Sequence, residues 1–154
     1  MNDSQKHISD PVPRAVAIVG LLGVGLIHLL DSIGKYSEVR YVFWMYIALI
    51  LGTIVVSGAL LHRESRVTWA ATGLLAASAL VGFIVNRTVG LPNAMDDIGN
   101  WTEPLGLASL FVEGCLVALA GYKLILAPSP ERAPRTSERR SGSDFAPRRL
   151  GVTD

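Results

Sequence analysis

An all-α membrane bundle is the fold this sequence predicts, from four long apolar runs, a lopsided distribution of basic residues and short connections. The runs cover 15–30, 41–61, 67–85 and 105–122. Each approaches the roughly 20 residues a helix needs to cross a hydrocarbon core of about 30 Å. Half the residues are hydrophobic and only 18% are charged, which excludes an ordinary soluble domain. In 154 residues, four spans leave no room for a separate soluble domain before Pro128.

Positive charge sets the orientation. Lys6 and Arg14 precede the first run, Arg63 and Arg66 separate the second and third, and Lys123 with six arginines follows the fourth. Eleven basic residues thus fall on one side, against Lys35, Arg40 and Arg87 on the other. The positive-inside rule then puts both termini in the cytoplasm of a multi-pass plasma-membrane protein. Topology accounts for these charges without nucleic acid. The excess of arginine over lysine is a compositional sign of a GC-rich bacterial genome.

Residues 1–13 are polar and close on Pro11 and Pro13, so they read as a cytoplasmic N-terminus ahead of a transmembrane domain over 14–127. The first span is expected over about 15–34. Its apolar run is too long for a signal peptide, and Asp31 stands where a cleavage site would be sought. A short outer loop leads to the second span, about 41–62, where Tyr41, Trp44 and Tyr46 suit the membrane interface. The turn 62–66 is short enough to pair spans two and three as an antiparallel hairpin. The third span, about 67–86, carries Gly73 with Ala77 and Ser78 with Gly82; the fourth, about 104–126, carries Gly114 with Ala118. Such small-xxx-small pairs let helix backbones approach, so all three are expected to be packing contacts. Four prolines among serines and arginines make 128–154 a disordered basic tail. Cys115 stands alone, which removes an intrachain disulfide and a CxxC redox pair.

The chemistry-bearing residues cluster toward the outer side. Glu113 lies ten residues beyond Glu103, roughly 15 Å deeper along a helix. A charge at that depth costs about 2.5–3.5 kcal/mol, so Glu113 reads as a ligand-binding or proton-carrying group, or as a helix-to-helix hydrogen bond. Ser109, one turn earlier, shares its face. His28 and Asp31, three residues apart, share a face of the first span; with Glu113 they form a candidate metal or proton-relay set. A hydrogen-bonded core histidine is the alternative. Arg87 stands on the side poor in positive charge and calls for a carboxylate from Asp31, Asp96, Asp97, Glu103 or Glu113.

The segment 86–103 is the longest connection between spans, with Gly90, Pro92 and Gly99 as turn formers. It reads as a lid, either lying flat on the bundle or facing a substrate or ion, with Asp97 or Asn100 capping a short interfacial helix. Asn86 and Asn100 each begin a glycosylation sequon.

The stretches RTVGLP (87–92) and WTEPLG (101–106), with Glu113 beyond them, resemble uncharacterised four-span integral membrane proteins of actinobacteria. The resemblance implies the same four-helix fold and a first-span histidine matching His28. The layout is also loosely similar to DoxX-like proteins. Neither likeness brings an activity or a cofactor with it.

No motif specific for catalysis is present. The residues point instead to an outward-facing polar site beneath the 86–103 loop, lined by Glu113, His28, Asp31 and Arg87, with Asp96 and Asp97 at its mouth and Glu103 a further candidate, binding or helping to move a cation, metal or small polar ligand. A structural or assembly subunit of a membrane complex is the alternative, and the partners expected are the lipid bilayer and either a second copy of the chain or a membrane-complex protein. A quinone- or haem-linked redox component is a third reading, weakened because His28 is the only histidine within a span.

Overall fold

The structure, a computed structural model, describes residues 11–33 and 35–125. They form α1 (Pro11–Ser32), α2 (Lys35–Glu38), α3 (Arg40–His62), α4 (Arg66–Thr88) and α5 (Pro104–Ile125), with no β-strand among them. All but α2 are long and apolar enough to cross a membrane. The tail 128–154, expected to be disordered, lies outside the described residues.

The first span begins earlier than expected, at Pro11 rather than near Ala15. Proline lacks only an N–H that the first turn leaves unpaired, so Pro11 and Pro13 open the helix instead of preceding it. Ser65 caps α4: its Oγ accepts from the Thr68 N–H at 3.1 Å, and Thr68 Oγ1 accepts from the Ser65 N–H at 3.0 Å. The C-terminus of α4 closes through Gly90, whose N–H bonds the Val85 carbonyl at 3.0 Å with φ +80°. The left-handed backbone favours glycine there, and a Cβ, 2.5 Å from Met95 Sδ, would have to displace that side chain.

The chain runs up and down. α1 packs on α3 and α5, and α4 packs on α5 and α3. The core holds Leu21 and Val24 of α1, Leu60 of α3, Trp69 and Ala76 of α4, and Leu116 and Ala120 of α5. The helices remain apolar outside as well, with Val19, Leu51, Leu74 and Phe111 exposed. In lipid, such faces give no hydrophobic drive to associate, so close packing must do so. Gly73 fulfils its expected role, since a Cβ there would stand 3.0 Å from the Ala120 methyl carbon. Gly25 and Gly106 make equally close approaches, to Thr53 and to the Phe83 ring. Three buried hydroxyls satisfy themselves on their own helices: Ser32 donates to the Leu29 carbonyl, Thr53 to Ile50 and Thr72 to Thr68, at 2.7–2.9 Å, while the buried Ser57 Oγ has no partner.

The end carrying the α3–α4 turn is locked. Glu64 Oε1 accepts from Lys123 Nζ at 2.7 Å and from Trp69 Nε1 at 3.0 Å. Burial pushes the Glu64 carboxyl up, but these two donors outweigh it and hold it below the ordinary value. Arg66 donates to the Leu124 carbonyl at 2.7 Å, and Arg14 donates to the Leu61 carbonyl.

At the opposite end, α3 and α4 part. A Cβ on Gly52 would meet Leu75 at 2.9 Å, but one on Gly82, closer to the loop, would meet nothing within 4 Å. The Ser78–Gly82 pair therefore departs from its expected packing role: it lines a gap. Gly114 likewise meets nothing within 4 Å and Ala118 is exposed, so this pair makes no close helix contact in the described chain.

Candidate functional site

The gap between the parted helices is a cavity of about 400 Å³, roofed by the 89–103 segment and walled by all four long helices. That volume falls in the range of small-molecule sites, roughly 300–1,000 Å³. Its polar lining comes from His28 and Asp31 of α1, Lys35 of α2, Tyr46 of α3, Asn86 and Arg87 of α4, and Asp97, Glu103 and Ser109. Its apolar lining faces α3 and α4, through Met45, Leu49, Val81 and Gly82 among others.

Arg87 organises the roof. It is only 5% exposed, and its Nη1 lies 2.8 Å from Asp97 Oδ1 while Nη2 is paired with Glu103. The guanidinium also donates to the Asp97 carbonyl at 3.2 Å and sits over the Phe83 ring. Two of its expected partners, Asp97 and Glu103, are thus found. Asp31 and Glu113 bond elsewhere, and Asp96 is exposed outside the cavity lining.

Asp97 is also fixed by Asn86, whose Nδ2 donates to Oδ2 at 3.1 Å, and by Lys35 at 4.0 Å. Burial pushes its carboxyl up, but Asn86 and the two cations outweigh this and hold it below the ordinary value. For Lys35, burial lowers the ammonium's pKa, and the carboxylates of Glu38, Asp97 and Asp31 more than reverse that. No interfacial helix forms within 89–103, and the Asp97 carboxylate, expected with Asn100 as a candidate to cap one, is held instead by the end of α4. The loop is tied down instead by Tyr41, which donates to the Pro92 carbonyl at 2.7 Å, and by the Gly99 N–H on the Arg87 carbonyl at 2.9 Å.

A lowered folded-state pKa at Asp97 gives stability that is complete above the unfolded value of about 4. It is lost as pH falls through the depressed folded value. The loop is therefore expected to stay docked from neutrality to about pH 4 and to release below it. Trp101, packed edge-on against Phe83, reports this as a fluorescence change. A transition centred at pH 5–6 would contradict the assignment.

The floor is made by His28 and Ser109, with Glu113 buried just behind them. Along a helix, Glu113 lies about 13 Å from the start of α5 and His28 about 6 Å from the end of α1. Side chains tilt toward the N-terminus of their own helix. α1 and α5 are antiparallel, so these two lean toward one another, and His28 Nε2 lies 3.8 Å from Glu113 Oε1. His28 Nδ1 bonds the Val24 carbonyl at 3.0 Å, which leaves Nε2 facing the site. Glu113 is fully buried behind Ser109 and His28; its Oε1 accepts from Ser109 Oγ at 2.6 Å, as the one-turn spacing suggested. Its Oε2 has no hydrogen-bond partner.

Asp31, on the same face as His28, is taken by Tyr46, whose hydroxyl donates to Oδ2 at 2.6 Å. His28, Asp31 and Glu113 therefore do not converge as one metal-ligand set, and no group of three His, Cys, Asp or Glu among the described residues is placed to hold a metal ion. Sequence reasoning missed Tyr46, Lys35 and Asn86 as site residues. The available signal was the depth of Tyr46, about 9 Å inside α3, where a hydroxyl must find a partner. No family model matches the chain, and neither the curated proteins nor the solved structures give a match.

Proposed function

We propose that this chain is an integral plasma-membrane protein, with both termini cytoplasmic, that binds a small polar or cationic ligand in an outward-facing cavity under the 89–103 loop. The observation that carries this reading is the cavity itself: about 400 Å³, bounded by the Arg87–Asp97–Glu103 roof and reaching down to His28 and Ser109. Buried ionisable groups in a membrane are costly, so their convergence on one space favours a ligand site over general packing. The lopsided basic charge supports the orientation. Binding a ligand or passing it to a partner is within reach of one such bundle.

Filling the cavity tests this. Gly82 lines it and has open space where a Cβ would go, so Gly82→Phe places a ring in the cavity without an initial backbone clash. Its thermal midpoint is expected to stay within about 3 °C of wild type, a change of roughly 1 kcal/mol or less. Butylammonium, used as a small cationic probe in calorimetry on nanodiscs, is expected to bind wild type and lose at least tenfold in affinity to the variant. Equal binding by both proteins would contradict a cavity site.

A structural-subunit reading has one observation in its favour. The Gly114–Ala118 face of α5 makes no close helix contact within the described chain, as an assembly surface would require.

A further inference from the structure

The cavity is open sideways. Above the Gly52–Leu75 contact, α3 and α4 diverge, and the lining there includes groups that also face outward: Met45 at 54% exposure, Val81 at 55%, and Ser78. These lie on transmembrane helices, Met45 about one and a half turns and Val81 and Ser78 about two to three turns from the loop-side ends, at the level of acyl chains rather than headgroups. One space thus has a polar end beneath the loop and an apolar slot toward the bilayer.

The polar end has a distinct bias. Three lining carboxylates, Asp31, Asp97 and Glu103, stand against two cations, Lys35 and Arg87. Both cations are already engaged by carboxylates. The buried atoms left without a partner there are mainly acceptors: Asn86 Oδ1, and Glu113 Oε2 just behind the lining, with Arg87 Nε the donor among them. His28 Nε2 adds an acceptor when Nδ1 keeps its proton on Val24. A guest that satisfies these groups must donate hydrogen bonds and favours positive charge.

Building on the proposed cavity site, we infer that its ligand is an amphipathic amine, which enters between α3 and α4 from the outer leaflet and sets its ammonium against Asp31, Asn86 and His28 while its alkyl chain lies in the slot.

The test uses the full chain in nanodiscs, with labelled dodecylammonium as probe and empty nanodiscs subtracted. Saturable binding near one per chain is expected. Dodecanoate should compete at least 30-fold more weakly because its head carries the wrong charge, and butylammonium at least tenfold more weakly because it lacks the tail. Asp31→Asn, which keeps an acceptor for Tyr46, should weaken dodecylammonium at least tenfold, with an unchanged thermal midpoint confirming the fold. Val81→Trp, at the slot mouth, should slow dodecylammonium association more than butylammonium association. Equal competition by dodecanoate overturns the amine assignment. If butylammonium binds, is lost in Gly82→Phe, and competes as well as dodecylammonium, the cavity site stands and the lipid-side inference falls. If neither amine binds saturably, both fall.

Discussion

Replacing Arg87 with leucine is expected to destabilise the folded chain by about 3 kcal/mol and to release the 89–103 loop. The guanidinium is almost wholly buried and serves Asp97, Glu103 and the Asp97 carbonyl together. Removing it leaves Glu103 without its cation and Asp97 with only Asn86 and the Lys35 ammonium at 4.0 Å, a worse outcome than removing the whole group of charges. The combined change Arg87→Leu with Asp97→Asn and Glu103→Gln should therefore recover part of the loss. Arg87→Lys should recover less, because an ammonium cannot span two carboxylates as the planar fork does. Thermal unfolding in nanodiscs measures the cost, and protease cleavage within 89–103 reports the loop. An Arg87→Leu protein with wild-type stability and a protected loop would show that the ion pairs contribute nothing.

Glu113 carries the second large effect. Glu113→Gln keeps an acceptor for Ser109 at the same place and removes the capacity to carry charge beside His28. The variant is expected to fold with a stability change under about 1 kcal/mol, while binding of a cationic probe falls at least tenfold, equivalent to about 1.4 kcal/mol. Glu113→Ala should do both: lose binding, and lose about 2 kcal/mol of stability by leaving a void and an unpaired Ser109 hydroxyl. Calorimetry and thermal unfolding on the same samples separate the two. If Glu113→Gln binds normally and instead loses its assembly or fold, the residue is a helix-packing hydrogen bond and not part of a site.

The spans and the principal polar residues were legible in the sequence because membrane crossing imposes length and apolarity on each segment by itself. Arg87 announced a carboxylate partner, and the structure supplies two. Ser109 announced itself as the partner of Glu113 through one-turn spacing. What spacing cannot give is the neighbour across a helix interface. The approach of His28 to Glu113 depends on the opposed tilt of side chains on antiparallel helices. The Ser78–Gly82 pair shows the same limit. Its spacing suits close packing, and Gly73 does pack on α5, but three residues join α3 to α4 at one end while Leu75 fills their contact. Beyond Leu75 the helices separate, and the same small residues that would permit contact become the wall of a cavity.

Labelling from one side of the membrane tests the outward-facing cavity most directly. His28→Cys and His62→Cys are introduced separately into a Cys115→Ser background, in intact cells, and treated with a membrane-impermeant cationic methanethiosulfonate. The expected result is that His28→Cys reacts from outside and is blocked when Gly82→Phe is added, while His62→Cys reacts only after permeabilisation. Reaction of His62→Cys from outside, or a His28→Cys that stays inert until the protein is denatured, would contradict an outward-facing site beneath the loop.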